Sequence, residues 1–286
     1  MSYKTILAAA SGGAASNGAI ELACRLGRRF GAHVEGFHVK QDVVAMLATT
    51  VGAVGMPLEA HLIDRMTADV EALASATQVA FEAAAARHDL PRFDRARGVG
   101  ACSGWRVATG DGPSLVAREA MFNDLVVLGR SDRVADAPHT DAVEQALLYS
   151  GRPVLLAPAE PPATLGDNIA IGWNETPEAA RALAASLPLL QGATSVSLIT
   201  IDDESLNRAA AMIDHLAWHG VTARHMHLTH VHGVGSGAQL LSSARELDAD
   251  LLVMGAFGHA PWREAFFGGA TGEIIGVSLM PVLLSH

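Results

Sequence analysis

The sequence predicts an α/β protein built from two tandem, doubly wound, open parallel sheets. Short apolar runs with no polar face, such as Leu251–Met254, are typical of strands buried in a parallel sheet, and they alternate with helical patterns. A long internal repeat is the second observation. Asp124–Gly129 (DLVVLG) matches Asp250–Gly255 (DLLVMG), and Pro153–Leu156 (PVLL) matches Pro281–Leu284. Two copies of one βα unit explain both observations.

The segment between the two copies is rich in proline. Residues 157–162 read APAEPP, and three prolines within six residues indicate a stiff linker. We therefore predict a first unit over residues 1–158 and a second over residues 165–286. At the front of each unit, Ile6–Ser11 corresponds to Ile169–Asn174.

Each copy is expected to contain five strands with helices between them. Strand signals fall at Thr5–Ala10, His33–Val39, Cys102–Thr109, Leu125–Leu128, Val154–Leu156, Ile169–Trp173, Val196–Ile201, Ala223–Leu228, Leu251–Met254 and Val282–Leu284. The predicted helices are Ile20–Phe30, His61–Arg87, Pro113–Phe122, Asp141–Tyr149, Glu178–Leu187, Leu206–Trp218, Gln239–Leu247 and Thr271–Leu279. Val43–Leu58 is uncharged but broken by glycine and proline, which favours a hydrophobic flap or packed helix over membrane contact.

Composition excludes several classes of protein. Half of the 286 residues are hydrophobic and the mean hydropathy is +0.25, which excludes general disorder. The net charge is 20 − 30 = −10, so we expect no nucleic-acid partner. The two cysteines form no CxxC pair, and no signal peptide or membrane span is read, so a cytoplasmic protein with no membrane partner is expected.

A glycine-rich loop follows the strand at Leu251–Met254. Gly255 and Gly258 bracket a turn, and Gly268 and Gly269 precede Thr271, where a helical pattern begins. A strand, a glycine loop and a helix N-terminus present backbone N–H groups to an anion, most often a phosphate. A tight surface loop that uses glycine for positive φ is the alternative for these residues.

The glycine spacing resembles that of a known family. Gly255-x2-Gly258-x9-Gly268, followed thirteen residues later by Pro281–Leu284, is similar to the nucleotide loop of universal stress proteins. The resemblance implies flavodoxin-like or Rossmann-like three-layer sandwiches with strand order 3-2-1-4-5, a regulatory stress-response role, and ATP as ligand, with or without Mg²⁺. The sequence departs from the family at Gly269, where Ser or Thr is usual, and at Asn174, where Asp is usual.

We predict one adenine-nucleotide site, in the second copy. Residues 161–286 contain five arginines and no lysine, so phosphates would be held mainly by backbone N–H groups, histidine or a metal ion. Asn174 would either contact the ligand or cap the following helix. The predicted site residues are Asn174, Met254, Gly255, Gly258, His259, Gly268, Gly269 and Thr271. Arg263 is a further cation in the loop.

The first copy lacks this loop. The sequence has no glycine between Gly129 and Gly151, and Asp132 and Asp136 would repel phosphate, so we expect no nucleotide there.

Residues 11–16 (SGGAAS) resemble the phosphate loop of ATP pyrophosphatases, but Ala15 replaces that motif's Asp, and a small-residue turn is favoured.

Two further features bear on function. Six histidines lie between His215 and His232, and their spacing fits either a Zn²⁺ site or solvated side chains, the second being favoured. No nucleophile–base pattern is recognised, which favours a binder over an enzyme. A non-binding interaction module and a weak ATP-hydrolysing enzyme stay open as alternatives.

The resemblance also implies that the two copies form an intramolecular pseudo-dimer joined by the two PVLL strands, with a homodimer possible. The sequence identifies no protein client.

Overall fold

The computed structural model describes residues 2–52, 60–93, 100–130, 137–201, 206–256 and 280–286, and these form a single sheet of ten strands covered by helices on both faces. In chain order the strands are β1 (Thr5–Ala9), β2 (His33–Lys40), β3 (Cys102–Thr109), β4 (Leu125–Gly129), β5 (Val154–Ala157), β6 (Asn168–Gly172), β7 (Ser195–Ile201), β8 (Ala223–Leu228), β9 (Leu251–Gly255) and β10 (Val282–Ser285).

The strand order confirms the predicted topology in both copies. Across the sheet it is β3-β2-β1-β4-β5-β10-β9-β6-β7-β8, which is 3-2-1-4-5 read from each outer edge toward the middle. Within each copy the paired strands are parallel, as expected when helices form the crossovers. In each copy the order therefore reverses beside the first strand, next to β4 in one copy and β9 in the other.

Helices cover both faces of the sheet. They are α1 (Gly13–Phe30), α2 (Val43–Gly52), α3 (Ala60–Arg87), α4 (Gly112–Ala120), α5 (Ala137–Tyr149), α6 (Pro177–Leu190), α7 (Leu206–Trp218) and α8 (Ser236–Glu246). Residues of α1, α3, α6 and α7 belong to the core cluster on one face, and residues of α4, α5 and α8 belong to the cluster on the other. Strands buried on both faces read as the continuous apolar runs seen in the sequence.

The two copies are joined by their last strands. β5 and β10 pair antiparallel, with Leu283 opposite Leu155, and both residues are fully buried. This confirms the prediction that the two PVLL strands pair the copies. Each strand would otherwise present an apolar edge to water, so pairing removes two exposed edges at once.

The aspartate at the start of the repeated motif, Asp124 in one copy and Asp250 in the other, has a structural role. In the first copy, the Asp124 carboxylate accepts hydrogen bonds from the backbone N–H groups of Lys4 (2.7 Å) and Thr5 (3.1 Å). In the second copy, Asp250 accepts from the N–H groups of residues 166, 167 and 168 at 2.9 to 3.1 Å. Both carboxylates therefore anchor the amino end of the first strand of their copy, which otherwise leaves N–H groups unsatisfied.

The segment between the copies packs against α1. Arg25 donates to the carbonyl of Pro162 and Arg29 donates to that of Leu165, both at 2.7 Å. A Cβ added at Gly18 would lie 2.0 Å from the Pro158 carbonyl oxygen, so only glycine allows this approach. The linker predicted to be stiff is held by these contacts as well as by its prolines.

Several helix ends differ from the sequence prediction: α1 differs most, and α5, α6 and α8 also extend beyond their predicted bounds. α1 begins at Gly13 instead of Ile20, because Ala14 to Ala19 carry small side chains that fit a helix without marking its apolar face. The Val43–Leu58 segment forms α2 over Val43–Gly52, with Val43 and Leu47 buried. No helix within the described residues is long and apolar enough to span a membrane. The helix predicted at Thr271–Leu279 lies outside the described residues.

Candidate functional site

The candidate site lies at the carboxyl edge of the second copy's sheet. β6 and β9 pair with Gly172 opposite Met254, so the chain leaves both strands at the same edge, at Asn174 and Gly255. This is where the strand order of the copy reverses, and ligands of open α/β sheets bind at such points. Two of the predicted site residues, far apart in sequence, therefore lie at the same edge of the sheet.

Asn174 does not cap the next helix, so that alternative is wrong. The cap of α6 is Thr176, whose hydroxyl oxygen accepts from the backbone N–H of Ala179 at 3.3 Å. The same hydroxyl donates to Asn174 Oδ1 at 2.9 Å. With its carbonyl oxygen engaged, the exposed Asn174 side chain offers its amide N–H donors to a ligand. Such donors suit phosphate, ribose or base acceptor atoms and do not suit Mg²⁺, which takes oxygen ligands.

Gly255 is required by packing. A Cβ at this position would lie 2.5 Å from the backbone nitrogen of Ala179 and 2.7 Å from the carbonyl carbon of Glu178. The end of β9 thus approaches the first turn of α6 more closely than any side chain allows. Because the φ angle of Gly255 is not positive, close approach explains this glycine better than turn geometry does. Its neighbour Met254 is buried in the core cluster beneath α8 and supports the edge from within.

The remaining predicted site residues lie outside the described residues. They are Gly258, His259, Gly268, Gly269 and Thr271, together with Arg263.

His286 also lies at this edge, although it is not among the predicted site residues. Its Nδ1–H donates to the carbonyl of Ala256 at 3.1 Å, directly after β9. Burial alone would raise the pKa of Glu178, but its own backbone N–H, Arg181 and His286 outweigh burial and lower it. A histidine at the end of β10 could have been suspected, because β10 is parallel to β9 and ends at the same edge.

The first copy has an open cavity at the corresponding edge. Its volume is about 450 Å³, and it lies at the carboxyl ends of β1, β2 and β4. Ser11, Gln41 and Gly129 line it, with two carboxylates, Asp111 and Asp141. None of the described residues that line it is a lysine or arginine. Ser11 occupies the place that Asn174 has in the second copy, since β1 and β6 pair in equivalent register with β4 and β9.

The histidine-rich region does not assemble a metal site from the described residues. His225 and His227 both approach the hydroxyl of Thr200, at 2.9 and 3.3 Å, and the rings of His215 and His219 lie 4.8 Å apart. Throughout the described part of the chain, no group of three or more His, Cys, Asp or Glu side chains is placed to hold a metal ion.

Comparison with solved structures finds the same fold over nearly the whole chain. A universal stress protein from Archaeoglobus fulgidus DSM 4304 matches with a TM-score of 0.72 at 15% identity, over 98% of this chain and 95% of that one. A functionally unknown protein from Pseudomonas aeruginosa PAO1 matches with a TM-score of 0.56 at 13% identity, over 99% and 92%. A protein from Pseudomonas aeruginosa UCBPP-PA14, provisionally named a universal stress protein, gives 0.55 at 13%, over 99% and 93%.

These similarities confirm the resemblance to tandem universal stress proteins at the level of the fold. No protein-family model matches the sequence, and no curated protein matches it.

Proposed function

We propose that the protein is a regulatory, stress-response protein that binds one adenine nucleotide, ATP, in its second copy. The observation that carries the proposal is that the chain leaves the adjacent strands β6 and β9 at one edge, at Asn174 and Gly255. This edge is the switch point, and the glycine-rich sequence continues from it. Anions bind there through backbone N–H groups, which suits a region of the chain without lysine.

The role proposed for Asn174 is to donate hydrogen bonds from its amide group. Because Thr176 already occupies Oδ1, replacement by alanine removes a donor and leaves the helix cap intact. Asn174→Ala should therefore weaken ATP binding about fivefold to tenfold, which corresponds to the free energy of one ordinary hydrogen bond. Thr176→Ser keeps both hydrogen bonds and serves as the control.

Regulation is favoured over catalysis. A phosphoryl-transfer site needs positive charge near the phosphates and a group that orients the nucleophile. The second copy has no lysine that could supply this charge. We expect ATP turnover well below about 1 per second, measured as phosphate released from the purified protein. Steady turnover at or above that rate would favour the ATP-hydrolysing alternative.

The ligand itself can be identified directly. Protein purified without added nucleotide is denatured, and the released small molecules are analysed by mass spectrometry. ATP or ADP at close to one equivalent per chain supports the proposal. If no nucleotide is released and none binds on titration, the non-binding interaction module is favoured.

The cavity of the first copy supports a second candidate ligand. Its volume of about 450 Å³ suits a small molecule, but Asp111 and Asp141 would repel a triphosphate. We propose that a neutral nucleoside fits it better than a nucleotide does. Adenosine binding that is lost in Gly129→Val and kept in Gly258→Val would support this candidate, whereas loss in neither variant would exclude it.

A further inference from the structure

A second cluster of reactive groups lies at the amino edge of the first copy's half of the sheet, where β2 and β3 begin. His33 and Cys102 face each other across these two parallel strands. The Cys102 sulfur lies 3.2 Å from His33 Nδ1, which is hydrogen-bond distance for sulfur and nitrogen. Both residues are partly exposed: Cys102 is half-buried and the His33 side chain is 28% exposed. The pair is therefore in contact with solvent.

Glu35 fixes the state of the imidazole. Glu35 Oε2 lies 3.1 Å from His33 Nε2, so Nε2 carries the hydrogen and donates it to the carboxylate. Nδ1 then has a lone pair and accepts the hydrogen of the Cys102 thiol. A thiol, an imidazole and a carboxylate connected in this order form the arrangement by which a base activates a sulfur nucleophile.

Two residues of β3, Arg106 and Gly104, border the Glu35 carboxylate. Arg106 approaches Glu35 Oε1 at 3.7 Å and is itself bonded to Glu119 at 2.8 Å. Gly104, opposite Glu35 on β3, leaves the space that the pair occupies. A Cβ at Gly104 would lie 3.0 Å from both Glu35 Oε2 and His33 Cε1, so a larger residue would push the pair aside.

The second copy offers a built-in comparison. By strand register, the positions equivalent to His33, Glu35, Cys102 and Gly104 are Ser195, Ser197, Thr222 and Arg224. Here Arg224 donates to Ser197 at 2.8 Å, and none of the four side chains is a thiol or an imidazole. The fold therefore does not require the cluster, since the same strands pair without it in the other half of the sheet.

We propose that Cys102 is a redox-active thiol that reacts with hydroperoxides, with His33 as its base and Glu35 as the residue that positions His33. His33 Nδ1 takes the thiol proton, and the sulfur attacks the peroxide, so that an S–O bond forms as the O–O bond breaks. The departing oxygen takes the proton back from His33. Sulfur loses two electrons to the peroxide, and the products are a sulfenic acid and an alcohol, or water from hydrogen peroxide.

A small thiol then reduces the sulfenic acid back to the Cys102 thiol. A low-molecular-weight thiol attacks the sulfur, which forms a mixed disulfide and releases water; a second thiol restores Cys102 and leaves as the disulfide of the small thiol. Burial raises the pKa of the Cys102 thiol, so the proton acceptor at 3.2 Å is what makes the attack possible. Cys24 has no exposure, and burial raises its pKa to about 12, so it should be inert.

The test measures the rate at which hydrogen peroxide oxidises Cys102. In a Cys24→Ala background Cys102 is the only thiol, and dimedone traps the sulfenic acid for intact-mass analysis. His33→Asn keeps a polar atom near the sulfur but takes no proton, and should slow trapping by at least about tenfold. Glu35→Gln should slow it several-fold without lowering the thermal midpoint of unfolding by more than a few degrees. His215→Asn, on α7, makes the same chemical change away from the thiol and should have no effect.

Each outcome of this experiment either supports or overturns the proposal. Dimedone on Cys102, with slower trapping in both His33→Asn and Glu35→Gln, supports the proposal. Equal trapping rates in the parent and in Glu35→Gln, or no adduct on Cys102, would overturn it. If circular dichroism shows His33→Asn unfolded, the rate of Glu35→Gln decides alone, because a merely structural carboxylate would alter stability and leave the rate unchanged.

Discussion

Asp250→Asn should destabilise the fold through a single carboxylate. Asp250 Oδ1 accepts from the backbone N–H groups of Gly166 (2.9 Å), Asp167 (3.1 Å) and Asn168 (3.1 Å), and the residue is only 8% exposed. An amide retains one acceptor oxygen, so the three bonds persist in neutral form with roughly half the strength of charged ones. At about 1.5–3 kcal/mol for each charged bond, the expected loss is roughly 2–4 kcal/mol.

The measurement is the free energy of unfolding in urea, followed by circular dichroism at pH 7. Asp248→Asn is the matched control, since Asp248 is exposed, lies two residues away and undergoes the same change of charge. Its φ of 51° is tolerated by asparagine, so the control should stay within about 0.5 kcal/mol of the parent protein. Equal stability of the two variants would refute the anchoring role of Asp250.

Three more predictions concern the packing and the acid stability of the fold. Leu283→Ala, which empties a fully buried position where the copies join, should cost about 2–5 kcal/mol of unfolding free energy in urea. Gly18→Val should lower the thermal midpoint because its side chain meets a linker carbonyl, whereas Gly112→Ala, which faces open space, should change it little. Burial tends to raise the pKa of Glu21, but bonds from an arginine and a histidine lower it overall, so its stabilisation is lost as pH falls through the folded value. Unfolding free energy should therefore fall more steeply below about pH 4.5 in the parent than in Glu21→Gln, and parallel pH curves would contradict this.

The sequence predicted the central strands well because strands such as β4 and β9 are buried on both faces and read as continuous apolar runs. The family resemblance, together with the apolar edge that each PVLL strand would otherwise expose, correctly predicted that these two strands pair. Helix ends were harder to predict. Small residues at the start of α1 fit a helix without showing a face, and the cap of α6 belongs to Thr176 because its hydroxyl, and not Asn174, reaches the free N–H of Ala179.

Some residues of the candidate sites could be predicted from the sequence and others could not. Asn174 and Gly255 could be placed at one edge because the family resemblance implied that their strands are adjacent, and adjacent parallel strands end at the same edge of a sheet. The Cys102–His33–Glu35 cluster could not be predicted, because its members come from two strands whose register only the fold defines. His286 and the carboxylates of the first-copy cavity were missed for the same reason, as none belongs to a local motif.

The central claim, one adenine nucleotide per chain in the second copy, is tested most directly by calorimetric titration with ATP. Gly258 is the position to change, because a side chain at Gly255 would collide with the backbone of α6 and confuse folding with binding. The parent protein should bind one equivalent, Gly258→Val should bind at least about a hundredfold more weakly, close to 2.7 kcal/mol, and Gly129→Val should bind as the parent does. Two equivalents in the parent, or loss of binding in Gly129→Val alone, would contradict the account.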